Sequence, residues 1–296
     1  MLGSAMLRIE KIDPFEHLEE WERIYFESAR GVIFAYPKWS ILSAEYNGGE
    51  PKYWMVANEK PLAYVAGSYY DSRKTLILPV FDPIFAPYSE FVILPQYRRE
   101  VLENLLKNLQ NGYEKMLVGP IREDSPSYSI VSKMGNAISS IKIHNIRLKG
   151  DPLEHLYRSK AYNFIKTLEN MERKMDVKVE IKGFDALEEI LNNSFKLSPT
   201  REFALKSVLS ACRDKVKIIK VLEKSKVLGY TLLVEEEDKI VVILNTVPED
   251  KIMLGIWKYI YDTGKRDLNL EIPLPTFAFG KELGFKVINA HIYEII

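Results

Sequence analysis

Lys217-Ile218-Ile219-Lys220-Val221-Leu222, Gly229-Tyr230-Thr231-Leu232-Leu233-Val234-Glu235 and Lys239-Ile240-Val241-Val242-Ile243-Leu244-Asn245 follow one another closely as three β-rich runs. Glu223-Lys224-Ser225-Lys226 is a polar break suited to a hairpin, and Glu236-Glu237-Asp238 separates the third run from the second. Pro248 then opens a helical pattern with Ile252, Ile256 and Ile260 on one side, stopped at Gly264. Leu268–Ile272 reads as another strand, Phe277–Leu283 as a short last helix, and Phe285–Ile295 as a closing strand. Strands and helices are interleaved in the same way elsewhere in the chain, so the fold class is mixed α and β, with two sheets.

At 296 residues the chain exceeds the usual size of one domain, and two are expected. With 47% hydrophobic and 28% charged residues there is apolar matter for sizeable cores. The 41 basic and 41 acidic side chains cancel, which gives no support for a broad nucleic-acid face and leaves a local patch open. One cysteine, Cys212, excludes a disulfide framework and a thiolate metal cage; it falls in an apolar helical pattern with Ala204, Val208 and Leu209 and reads as inert core. His17, His144, His155 and His291 lack ligand spacing, so no metal is expected. No run approaches the ~20 apolar residues of a membrane span, and the cytoplasm is the expected compartment. Only Gln96 and Gln110 stand among abundant Lys and Glu, a bias seen in hyperthermophile proteins. Nothing in the sequence fixes an oligomeric state.

Taken from its start, Leu7–Ile12 reads as a strand and Asp13-Pro14 as the cap of a helix with Phe15, Leu18, Trp21, Ile24 and Tyr25 on one face. Pro37 suits the first turn of a helix to Tyr46. Tyr53–Ala57, Leu62–Tyr70 and Thr75–Val80 read as strands, Phe81–Leu94 as an irregular loop with a short strand, and Arg98–Leu109 as an amphipathic helix. After the strand Lys115–Val118, Gly119-Pro120 should begin a loop into a helix over Ser127–Met134, followed by Ile138–Leu148 as one or two strands. Gly150-Asp151-Pro152 is the expected boundary, giving domains 1–150 and 151–296. Beyond it, Leu156–Met175 reads as one long helix carrying Arg158, Lys160, Lys166, Arg173 and Lys174.

Three places carry a family resemblance. Phe34-x-x-Pro37-x-Trp39 resembles a Phe-x-Thr-Pro-x-Trp element of the FemABX and BioF2-like tandem GNAT proteins, with Tyr36 in place of the threonine. Ser159-Lys160-Ala161-Tyr162-Asn163-Phe164-Ile165-Lys166 resembles that group's basic inter-domain helix, with Ala161 and Tyr162 where cations are usual. Phe279-Gly280-Lys281-Glu282-Leu283-Gly284-Phe285 is similar to its Phe-Lys-x-x-Phe-Gly ending. The resemblance implies two tandem GNAT-like domains, each a mixed, mostly antiparallel sheet flanked by helices. It also implies transfer of an acyl group from acyl-CoA to a small-molecule or peptide amine, in a cleft at the domain junction. Aminoacyl-tRNA is the alternative donor, disfavoured by the neutral charge, and a non-catalytic binding protein is the third reading.

Such chemistry needs helix N-terminal N–H groups for the donor pyrophosphate, donors for the oxyanion and a path for the amine's proton. The place corresponding to the phosphate cradle is Val247 to Gly255, with one cation, Lys251, one glycine, Gly255, and two acids. Asn245, Thr246, Val247, Lys251 and Gly255 are therefore the donor-binding candidates. In the first half, Arg98 and Arg99 open a helix without a glycine and read more readily as a solvated first turn. Tyr36, Trp39, Tyr88, Glu90, Tyr162 and Lys166 are the substrate-binding candidates, although aromatic packing is the simpler role for Tyr36 and Trp39. No catalytic residue is assigned: the tyrosine that many GNAT enzymes carry four residues before the last Gly-Phe is replaced here by Gly280.

Overall fold

The structure, a computed structural model, describes residues 6–171, 173, 177–194, 196–273 and 280–295. The first part of the chain forms β1 (Arg8–Lys11), α1 (Leu18–Ser28), α2 (Pro37–Tyr46), β2 (Glu50–Ala57), β3 (Pro61–Tyr70), β4 (Thr75–Leu78), β5 (Val92–Ile93), α3 (Arg98–Gln110), β6 (Lys115–Arg122), the single turn α4 (Tyr128–Val131) and β7 (Gly135–Arg147). It continues with α5 (Pro152–Arg158), α6 (Tyr162–Asn170), β8 (Val177–Gly183), α7 (Leu187–Ser194), α8 (Pro199–Leu209), β9 (Val216–Glu223), β10 (Lys226–Glu235), β11 (Lys239–Asn245), α9 (Glu249–Asp262), β12 (Asn269–Ile272) and β13 (Lys286–Ile295).

Two compact units result. The first runs to Ile141 and regains the chain from Asn289; the second is Lys142–Ile288. Gly150-Asp151-Pro152, the boundary expected from sequence, lies between β7 and α5, inside the second unit. β7 and β13 each give one end to each unit, so a turn rich in breakers does not mark the division.

In the first unit the strand order is β1-β2-β3-β4-β6-β13-β7. β4 and β6 run parallel from Thr75↔Lys115 to Leu78↔Val118, and β13 lies antiparallel on the other edge of β6. Helix α1 is entered through Asp13, whose side chain accepts from Phe15 N, and it buries Trp21, Ile24 and Tyr25 at the expected spacing. In the second unit the order is β7-β12-β11-β10-β9-β8, with β11 and β12 the parallel pair. Its core takes Ile240 and Val242 of β11 with Leu270 and Ile272 of β12, the alternate residues that share one sheet face. Ile252, Ile256 and Ile260 of α9, with Leu156 of α5 and Phe164 of α6, close over them.

Three expectations are corrected. Gly119-Pro120 does not begin a loop but continues β6: the Pro120 carbonyl accepts from Ser89 N at 3.1 Å, so a residue without an N–H still serves there. Gly119, at φ 115°, lets the β13 backbone approach, since a Cβ would lie 2.3 Å from the His291 carbonyl oxygen. The long helix is two, α5 and α6, broken where Lys160 adopts φ 56° and Ala161 N turns back to the Leu156 carbonyl at 3.0 Å. The helix over Ser127–Met134 shrinks to α4. Phe277–Phe279 of the expected last helix lie outside the described residues; Gly280–Gly284 form turns.

Candidate functional site

The parallel pair of the second unit comes apart part-way along. β11 and β12 pair as Lys239↔Asn269, Ile240↔Leu270 and Val241↔Glu271, and no further. β11 continues beside β10 to Thr231↔Asn245, and Thr246 N still donates to the Tyr230 carbonyl at 2.8 Å. β12 continues beside β7 to Ile272↔His144 and is followed by Pro273. Among the described residues no bridge fills this edge of β11 beyond Val241. Backbone groups along such an edge need partners. Just below the divergence sits a buried ion pair, Lys239 Nζ to Glu271 Oε2 at 3.0 Å, with Asn145 Nδ2 donating to Glu271 Oε1 at 3.3 Å. The run Leu-Glu-Ile in an apolar strand was the sequence signal for this carboxylate, and it was missed.

Four of the five donor-binding candidates border the end of β11, but their side chains are engaged. Asn245 Oδ1 accepts from Thr231 Oγ1 at 2.9 Å and from Val247 N at 3.2 Å, while its Nδ2 donates to the Val247 carbonyl at 2.7 Å. Thr246 Oγ1 accepts from Tyr230 N at 2.9 Å, and the Val247 side chain is buried. Lys251 is paired with Glu223 at 3.2 Å. These bonds fix the turn from β11 into α9, whose N-terminus follows Pro248 with no side-chain cap. The fifth candidate, Gly255, lies well inside α9, where a Cβ would stand 2.9 Å from Val221 Cγ2. Its smallness lets the helix lie close on β9, so it does not act as a cradle glycine.

The candidates in the first unit are absorbed by its interior. Trp39 is fully buried and donates from Nε1 to the Phe85 carbonyl at 2.6 Å. Tyr88 is equally buried, edge-on to Phe34, with the Arg122 guanidinium 5.4 Å from its ring centre. Tyr36, half-buried, donates to Glu22 Oε1 at 2.9 Å. Glu90 accepts from Phe91 N at 2.7 Å, from Arg98 Nη1 at 3.3 Å and from the hydroxyls of Ser125 and Ser127.

Arg98 is not a solvated first-turn residue. It is buried and also donates to the carbonyls of Phe91, Ser28 and Ile93 at 3.2, 3.1 and 3.4 Å. Burial pulls its pKa down, opposed by Glu90. Arg99 is exposed and pairs with Glu103.

Tyr162 and Lys166 stand one helical turn apart on α6, both exposed. Another side of α6 joins α5 and the C-terminal half of α9 around a groove of about 270 Å³, lined by Leu156, Leu168, Met171, Trp257 and Tyr261. A polar group that the sequence did not reveal is Glu123, which accepts from His291 Nε2 at 2.7 Å. That bond holds its carboxyl below the usual carboxylate range. Cys212 is buried, and the described residues contain no group able to hold a metal ion. No described helix is long and apolar enough to cross a membrane.

No protein-family model matches the chain, and no curated protein matches it. Solved structures do. A tandem GNAT protein from the clavulanic acid biosynthesis pathway superposes with a TM-score of 0.59 at 10% identity, over 98% of each chain. FemX gives 0.60 at 10% identity, over 98% of this chain and 97% of its own. The C-terminal domain of a putative lysylphosphatidylglycerol synthetase from Agrobacterium fabrum gives 0.53 at 10% identity, over 96% and 92%. At such identities the likeness establishes the fold: this chain is folded as two GNAT-like domains, with a tandem, FemX-like arrangement of elements.

Proposed function

We propose that the protein is an N-acyltransferase that takes an acyl group from acyl-CoA and delivers it to a small-molecule or peptide amine, with the donor held by the second unit. The observation that carries this reading is the divergence of β11 from β12 after Val241↔Glu271, with the uncapped N-terminus of α9 following β11. The edge of β11 beyond Val241, which carries no bridge among the described residues, offers N–H and carbonyl groups to an extended, amide-containing arm, as an added strand would use them. The α9 N-terminus offers N–H groups to the pyrophosphate. Asn245, Thr246 and Val247 shape this corner through their backbone, and Lys251, near the start of α9, adds a cation.

In the reaction the neutral amine adds to the thioester carbonyl, the oxyanion takes hydrogen bonds from backbone N–H groups of β11, and the C–S bond breaks. The departing thiolate takes up a proton, and the proton of the amine leaves by a path without a tyrosine at Gly280. Tyr162 and Lys166, exposed on one face of α6, are the side chains proposed to meet the acceptor.

Calorimetric titration with acetyl-CoA, CoA and longer acyl-CoAs tests this. Saturable binding that prefers the acyl thioester, and product formation with a primary amine, support it. No heat and no thermal shift at millimolar ligand would remove it, since a ligand well above its Kd must stabilise the fold that binds it. Salt-sensitive tRNA binding in that case would shift the donor to aminoacyl-tRNA, with the exposed cations Arg158, Lys160, Lys166 and Arg173 as its footprint.

A further inference from the structure

The first unit contains the same kind of divergence, and its own chain fills it. β4 and β6 pair as far as Leu78↔Val118 and then separate. Val80 stays with β3, its N–H bonded to the Ala66 carbonyl at 3.1 Å, while β6 runs on to Arg122 beside β13. Because Ile121 is paired with His291 of β13 on one edge, its parallel bridge to Ser89 must lie on the other, the edge that β4 has left. There Ser89 N donates to the Pro120 carbonyl at 3.1 Å. A peptide N–H of the chain thus takes a bond on the β6 side of the notch, the side that β12 forms in the second unit.

Three features hold this segment in place. Phe85 and Phe91, on either side of it, and Tyr88 within it are buried. Trp39 fastens it upstream through the Phe85 carbonyl. Glu90, next to Ser89, is a buried carboxylate bonded to Arg98, Ser125, Ser127 and Phe91 N. Withdrawing the segment would break a buried, hydrogen-bonded ion pair and expose three aromatic rings, which is a large cost.

We infer that residues 88–90 are a built-in occupant of the first unit's notch, so that this unit binds no acyl donor and the chain takes one donor, in the second unit. The second half of that statement rests on the acyl-CoA reading above; the first half does not. On this view Tyr88, Glu90 and Arg98 are the closure of a site and do not contact substrate.

Amide hydrogen exchange on the full chain, read residue by residue with and without acetyl-CoA, decides the first half. A built-in occupant leaves Ser89 N–H protected to within about tenfold of the core amides of β6, because both open only with the unit. That protection should not change when acetyl-CoA is added. Exchange at Ser89 orders of magnitude faster than in β6, or faster exchange on adding acetyl-CoA, would overturn it and make the segment a lid. Calorimetry with acetyl-CoA decides the second half: one site per chain is expected, and two would overturn the inference. Absence of any binding would refute the acyl-CoA reading, while the exchange result would still decide whether the notch is closed.

Discussion

At the scale of single residues, the contrast between Arg98 and Arg99 shows how burial decides a role. Adjacent in sequence, one lies in the interior with a carboxylate and several carbonyls, and the other lies in water beside Glu103. Removing one partner of a buried pair leaves the other charge uncompensated, so Arg98→Ala should destabilise the fold by about 3–5 kcal/mol. Arg99→Ala should change stability by less than about 1 kcal/mol, as exposed pairs do. Urea unfolding of the two variants checks both figures. Gly255 gives a second test. If it were a phosphate-cradle glycine, alanine would weaken acetyl-CoA binding in a stable protein. Its hypothetical Cβ instead meets Val221 Cγ2 at 2.9 Å, so Gly255→Ala should cost about 1–3 kcal/mol by overpacking α9 on β9. The same denaturation, with a titration of acetyl-CoA, separates the two roles.

At the scale of elements, β13 is fastened to the segment after β6 by one carboxylate. Glu123 N donates to the Asn289 carbonyl at 2.9 Å, and its side chain accepts from His291 Nε2 and Asn289 Nδ2. The His291 bond is the main reason that the folded carboxyl lies below its ordinary 4.5. A carboxyl depressed in the folded state stabilises above its unfolded pKa and loses that contribution as pH falls through the folded value. Wild type should therefore be more stable than Glu123→Gln near neutrality, with the difference closing below about pH 4.5. Thermal melts of both proteins across that range would show it; a difference independent of pH would sink the idea.

How far the elements could be read in advance follows from the same local physics. The hairpin at Lys224-Ser225, the run Lys239–Asn245 and the Pro248-to-Gly264 helix were legible because turn residues, alternation and a helix stop all agreed there. Gly119-Pro120 misled because both residues are breakers by composition. Their use inside β6 depends on a β13 backbone and a Ser89 amide far away in sequence. The break at Lys160 was hidden because the apolar spacing runs through it. Burial of Tyr88, Glu90 and Arg98 was equally illegible, whereas packing was already the simpler role for Trp39: polar and aromatic side chains read alike in a cleft or in a core until their partners are known.

At the scale of the whole molecule, β7 and β13 make the chain harder to divide than its turns suggest. In the first unit β13 lies between β6 and β7, so a fragment ending at Gly150 would lack an interior strand rather than an edge. It would present β6 with Leu117, Val118, Ile121 and Arg122 unpaired on that side, an exposed strand edge of the kind that drives aggregation. Fragment 1–150 should therefore be insoluble or unfolded when produced alone. A synthetic peptide spanning 285–296 should rescue it, because that peptide carries Ala290, His291, Tyr293 and Glu294 that pair with β6, and its Tyr293 side chain is buried. Replacing Ala290, which is fully buried, by Asp in the peptide should abolish rescue, since an unpaired carboxylate cannot be accommodated there. Circular dichroism and gel filtration of the fragment with each peptide would read this directly. A stably folded fragment 1–150 without peptide would show that the first unit closes its sheet by itself, and that the return of the C-terminal strand is an attachment rather than part of its core.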